Sequence, residues 1–290
     1  MKQPVFEGVA TALVTPFQSS TVDYEKLEQL LDFQLSAGVD AIVVCGTTGE
    51  AATMTPQEQL GVIAHCIRYV AGRCKVIAGT GSNSTAHCLE TSRVAASIGA
   101  DALLLVTPYY NKCTQSGLIA HYTRVADAVS VPVIVYNVPS RTGMDISVDT
   151  YRVLSEHPNI GGVKEASSSV CKTARILDAC GDQLPVWSGN DDEAVPMMSI
   201  GAKGLISVLS NIRPKQTLEM IRACRAGDYE TAGRMQVALM PLIDALFCEV
   251  NPIPIKQALN LEGFDVGLPR LPLTPLSEAN LQRLKTLLAS

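Results

Sequence analysis

Aromatic residues are scarce in this 290-residue chain, which has one tryptophan, five phenylalanines and 5% aromatics in all. Excess charge is small as well: 23 basic against 28 acidic side chains leave a formal net charge of −5, which argues against a nucleic-acid partner. No stretch reaches the roughly 18 uninterrupted apolar residues that span a bilayer. The opening MKQPVFEGVATALVTPF also lacks the continuous apolar core of a secretory signal. A cytoplasmic protein with no membrane contact is the expectation. Nine cysteines are present, but the number is odd and no Cys-x-x-Cys pair occurs, so neither a disulfide framework nor a zinc knuckle is indicated. The histidines, His65, His87, His121 and His157, are scattered without metal-ligand spacing, and no metal is expected. With 47% hydrophobic and 18% charged residues, the composition excludes disorder and supports a substantial core.

Short β-branched runs alternate with longer amphipathic stretches, the pattern of consecutive βα units around a parallel sheet. Eight strands are expected at Val9–Val14, Ala41–Cys45, Lys75–Gly79, Ala102–Val106, Val133–Tyr136, Gly161–Glu165, Val186–Ser188 and Gly204–Val208, each apolar enough to be covered on both faces. Helical periodicity lies between them, as in Asp23–Ala37 with leucines at 27, 30, 31 and 35, and in Pro56–Ala71. From Pro214 onward only helical patterns remain, in Lys215–Ala226, Tyr229–Phe247, Ile253–Leu261 and Ser277–Leu288. This predicts an α/β protein, a (β/α)8 TIM barrel over residues 1–226 with a C-terminal helical domain over 227–290. An open doubly wound sheet is the competing fold, but it would place a glycine-rich dinucleotide fingerprint after the first strand. Here the first strand ends in VTPF, and GTGSNST after the third reads as a turn feeding a helix cap.

In a barrel the working residues stand at the C-terminal ends of the strands. Lys164, at the end of strand six, would sit at the mouth of an apolar barrel, where burial lowers an amine's pKa and suits it to attack a carbonyl. It reads equally as a lysine snorkelling to solvent or paired with Glu165. Gly46-Thr47-Thr48-Gly49 offers main-chain N–H groups and hydroxyls for a small carboxylate, or forms a plain turn. Tyr110 and Tyr136 each follow a strand and are placed to point into one mouth and pass protons, or to bury rings with the hydroxyl at the rim. Arg141 suits a forked contact with a carboxylate, or a surface salt bridge. The acidic run Asp191-Asp192-Glu193 reads as the cap of the seventh helix rather than a metal site.

Taken together, GTTGE, TPYYN, YNVPSRTG and VKEAS closely resemble the dihydrodipicolinate synthase family, and the likeness continues through SGNDD, GLISV, NPIPIK and LPLTP over essentially the whole chain. The resemblance implies the same barrel and a Schiff-base-forming lyase that condenses pyruvate with L-aspartate-4-semialdehyde in diaminopimelate and lysine biosynthesis. It implies that Lys164 forms the imine, that Thr47, Tyr110 and Tyr136 relay protons, and that Thr48 and the Thr47/Thr48 backbone hold the pyruvate carboxylate. Arg141 would bind the carboxylate of the semialdehyde, and a backbone contact would fall at Ile206. The resemblance further implies no cofactor and a homotetramer, a dimer of dimers, in which Tyr110 reaches into the neighbour's site.

The likeness has departures. Lysine-inhibited members carry two histidines after GTTGE and a glutamate after the third strand, where this chain has Pro56, Gln59 and His87. Asn83 and Tyr109 of that region remain, so a degenerate lysine site with weak or absent inhibition is the expectation. Asn190 stands where Asp is common. Two alternatives compete: a sister aldolase acting on N-acetylneuraminate or a 2-keto-3-deoxy sugar acid, and a catalytically silent ligand-binding member. Arg141 and Thr48 argue against the first, and the complete set of lysine, arginine and tyrosines against the second.

Overall fold

The structure, a computed structural model, describes residues 2–19 and 21–289. Eight parallel strands close into a barrel: β1 (Gly8–Ala12), β2 (Ala41–Val44), β3 (Lys75–Gly79), β4 (Ala102–Val106), β5 (Val133–Asn137), β6 (Ile160–Glu165), β7 (Val186–Ser188) and β8 (Gly204–Ser207). Sequential strands are neighbours, and β1 closes the ring by pairing with β8, Gly8 opposite Gly204 and Ile206 opposite Ala10. The predicted architecture is therefore the observed one. Around the barrel run α1 (Tyr24–Ala37), α2 (Pro56–Val70), α3 (Thr85–Ser97), α4 (Gln115–Ala126), α5 (Val148–Ser155), α6 (Val170–Cys180), α7 (Ala194–Ser199) and α8 (Pro214–Arg225). Three more, α9 (Tyr229–Leu246), α10 (Ile253–Leu261) and α11 (Glu278–Leu288), form the extension, with α9 packed along α8 and against α7.

Local sequence explains the helix starts. Asp23, Ser84, Thr114, Ser147 and Ser169 each accept a hydrogen bond from the N–H three residues on, and Thr55 with Glu58 closes a capping box ahead of Pro56 on α2. Ser84 confirms the turn-and-cap reading of GTGSNST. The period of two along each strand separates two cores. Outward residues such as Val9, Ile42, Leu103, Val135 and Val163 pack against the helices. Inward ones, including Ala10, Ala41, Ala102, Ile134 and Ile206, fill the barrel together with Trp187 and Phe6, whose rings stack at 5.0 Å. The single tryptophan thus plugs the interior, and Gly162 makes room for it: a Cβ there would lie 2.5 Å from the indole.

One buried group makes stability pH-dependent. His121 on α4 is 5% exposed, bonds Thr85 Oγ1 through Nδ1 at 2.9 Å, and leaves Nε2 buried without a partner. Burial lowers its pKa below the ordinary 6.5, so the unfolded chain takes the proton more readily. Its neutral form supports the fold fully above 6.5, and that contribution is lost as pH falls from there through the lowered value. The thermal midpoint is expected to drop between pH 7.5 and 5, and less steeply in His121→Gln; equal slopes for the two proteins would contradict this.

Candidate active site

Lys164 lies on β6 facing inward at the C-terminal end, 6% exposed, opposite Tyr136 on β5 and Trp187 on β7. Its ammonium stands 4.3 Å from the centre of the Tyr136 ring. Glycine at 189 lets the lysine stem pass, since a Cβ there would come within 2.9 Å of Lys164 Cε. Burial pulls the Lys164 pKa from 10.5 down to about 8; the Asp191 carboxylate opposes the shift and Arg141 adds to it. Near pH 8 about half of this amine is therefore neutral and nucleophilic. Glu165 is not its partner. That side chain points the other way, into a buried network in which Asn137 Nδ2 and the Tyr151 hydroxyl both donate to it at 2.9 Å.

Asp191 requires a correction. Instead of capping α7, it sits in a 3-10 turn with its carboxylate buried, accepting from Ser207 Oγ at 2.5 Å, Val208 N at 2.9 Å and Leu209 N at 3.1 Å. Burial raises its pKa, while these three hydrogen bonds and the charge of Lys164 hold it down. It fixes the end of β8 and supplies the negative charge facing the lysine. Asn190, beside it, donates to Glu193 Oε2 at 2.9 Å and Ser168 Oγ at 3.3 Å.

A cavity of about 270 Å3 opens at this end of the barrel, walled by Lys164, Thr47, Thr48, Tyr136, Arg141 and Asn251 among others. Thr47, Tyr136, Arg141 and Asn251 also border a second cavity of about 570 Å3, which runs past Pro56, Gln59, His87 and Tyr109. Burial raises the Tyr136 pKa, and the charge of Arg141 and a hydrogen bond with Thr47 moderate the rise, so the phenol keeps its proton at neutral pH. Thr48 Oγ1 accepts from Asn251 Nδ2 at 3.0 Å, and the main-chain oxygen of Asn251 accepts from Arg141 at 3.4 Å. Asn251 is 6% exposed, and its Oδ1 is left without a partner.

The remaining expected residues fall elsewhere. Tyr110 is 92% exposed with φ +68° and lines neither cavity, so within one chain the two tyrosines do not share a mouth. Ile206 is fully buried on β8 and is also absent from both cavity walls. Asn83 donates to the Tyr109 carbonyl at 3.2 Å, beside the larger cavity. Among the described residues no three His, Cys, Asp or Glu side chains are grouped to hold a metal ion, and no helix is long and apolar enough to cross a membrane. Asn251 and Gly189 carry no chemistry-bearing signal of their own in the sequence; the NPIPIK and SGNDD motifs that contain them were the available signals.

Residues 5–290 match the model of the dihydrodipicolinate synthetase family. The chain belongs to that family. A 4-hydroxy-tetrahydrodipicolinate synthase of Thermoanaerobacter sp. strain X514 is 52% identical over 287 residues, 99% of this chain and 97% of the relative. The crystal structure of the Aquifex aeolicus dihydrodipicolinate synthase superposes with a TM-score of 0.96 at 44% identity, covering 98% of this chain and 97% of that one. A structure described as a monomeric variant of a dihydrodipicolinate synthase matches at a TM-score of 0.96 and 40% identity, covering 98% and 96%. For this family member, then, the barrel fold is shared with solved relatives of similar length.

Proposed function

We propose that this protein is a 4-hydroxy-tetrahydrodipicolinate synthase, a lyase that condenses pyruvate with L-aspartate-4-semialdehyde on the route to diaminopimelate and lysine. The observation that carries the reading is Lys164, buried at the barrel mouth with its pKa at about 8 and in contact with the Tyr136 ring. Its neutral amine attacks the pyruvate carbonyl, water leaves, and the protonated imine acts as the electron sink from which the enamine forms. The enamine carbon then attacks the aldehyde, forming the carbon–carbon bond. No metal or organic cofactor enters these steps. Tyr136 and Thr47 move the protons, and Tyr136 delivers one to the aldehyde oxygen as it becomes alkoxide. Thr48 and the main-chain N–H groups of Thr47 and Thr48 hold the pyruvate carboxylate, and Arg141 takes the carboxylate of the semialdehyde.

The exposure of Tyr110 supports a role in the neighbouring subunit of a homotetramer built as a dimer of dimers, in which the tyrosine completes the partner's proton relay. We read residues 1–226 as the catalytic barrel and 227–290 as the helical domain that braces it, and the protein as cytoplasmic. In the second cavity His87 stands where a carboxylate would meet a lysine ammonium, and the lining carboxylate of Glu50 is already paired with Lys256 at 2.8 Å, so lysine at sub-millimolar concentration is expected to leave the rate unchanged; inhibition in that range would overturn this reading. Rates measured in parallel test the function itself. Turnover with pyruvate and aspartate semialdehyde is expected, and cleavage of N-acetylneuraminate or a 2-keto-3-deoxy sugar acid instead would assign a sister aldolase.

A further inference from the structure

An ion pair lies buried at the end of the threonine loop, outside the lysine pocket. Lys256 Nζ on α10 stands 2.8 Å from Glu50 Oε1, and both side chains are 1% exposed. The ammonium also donates to the carbonyls of Thr15 and Leu268, each at 3.1 Å. The second Glu50 oxygen accepts from Arg270 N at 2.9 Å. Glu50 itself adopts φ +56°, in the left-handed region that costs a branched-chain or acidic residue strain. Next to it the Gly49 carbonyl accepts from Thr15 Oγ1 at 2.7 Å. Three distant segments, two of them from the C-terminal extension, thus converge on Gly49 and Glu50, directly after Thr48. A buried ion pair contributes little to stability compared with apolar residues of the same volume, because desolvation offsets its attraction. Its directional hydrogen bonds do fix geometry.

We propose that Glu50 and Lys256 are positioning residues, whose pair holds the Thr47–Thr48 loop at the height needed to receive the pyruvate carboxylate and relay protons, so that the extension governs catalysis through this contact. The inference rests on the function proposed above. Glu50→Gln, Lys256→Met and the double variant test it through thermal midpoint, kcat and the KM values of both substrates. Each single change leaves a buried charge without its counter-ion and lowers the midpoint. The double variant removes both charges and is expected to regain most of the midpoint, yet to keep a deficit of about tenfold or more in kcat/KM for pyruvate, with KM for the semialdehyde within about twofold of wild type. Recovery of stability and activity together would overturn the proposal. Glu50→Asp keeps the charge and shortens the reach; it is expected to lose pyruvate kcat/KM while its circular dichroism matches wild type, and full activity there would also overturn it. Wild-type protein without turnover fails the functional reading; an active wild type with an equally active double variant fails only this proposal.

Discussion

Lys164→Met is expected to reduce turnover by about a thousandfold or more, the scale on which removal of a covalent nucleophile acts, and at the same time to raise the thermal midpoint. The first effect follows because Lys164 is the one lysine among the described residues that wall either cavity, so no second amine can take over imine formation. The second follows from the sign of its pKa shift. A lysine lowered from 10.5 to about 8 is charged less readily in the fold than in the unfolded chain, so below pH 8 the native state carries a penalty of order 3 kcal/mol. Methionine has a similar stem and no charge, which removes that penalty. Activity and stability are thus expected to move in opposite directions, as befits a strained functional group. Calorimetry and steady-state rates on the same preparation check it; retained turnover, or a clearly lowered midpoint at pH 7, would contradict it.

Tyr136→Phe is expected to lower kcat by about a hundredfold to a thousandfold while leaving pyruvate attached to Lys164 on borohydride reduction. The ring that lies 4.3 Å from the ammonium remains in the variant, so the packing and the cation–π contact survive. What is lost is the hydroxyl, which burial keeps protonated and which Thr47 bonds. If the phenol serves only to pack the mouth, kcat should stay within a few-fold of wild type. The split between trapping and turnover therefore separates proton transfer from imine formation.

The strands were legible because a barrel strand covered on both faces is a short apolar run, and their ends were not, because a ladder stops where a distant group takes over. At β1, Leu13 N still bonds the Val43 carbonyl at 3.0 Å, but Val14 N turns to Asn211 Oδ1 at 3.2 Å, so the expected Val9–Val14 is observed as Gly8–Ala12. The site shows the same division. Lys164, Tyr136, Thr47, Thr48 and Arg141 could be located by their place after a strand. Asp191 was misassigned because its local context, three acidic residues before a helix, resembles a cap, whereas its partners Ser207, Val208 and Leu209 lie across the fold on the next strand end. Glu50 and Lys256 are further apart still, 206 residues along the chain, and no local pattern joins them. Tyr110 is exposed, has φ +68° and lines neither cavity of its own chain, which its place after a strand did not signal.

The central claim is that Lys164 is the nucleophile. Borohydride reduction of the wild-type protein with pyruvate, followed by intact mass and peptide mapping, tests it most directly. A single pyruvate-derived adduct per chain, mapped to Lys164, is the predicted result. No adduct on folded protein, or one mapped to another lysine, would contradict it.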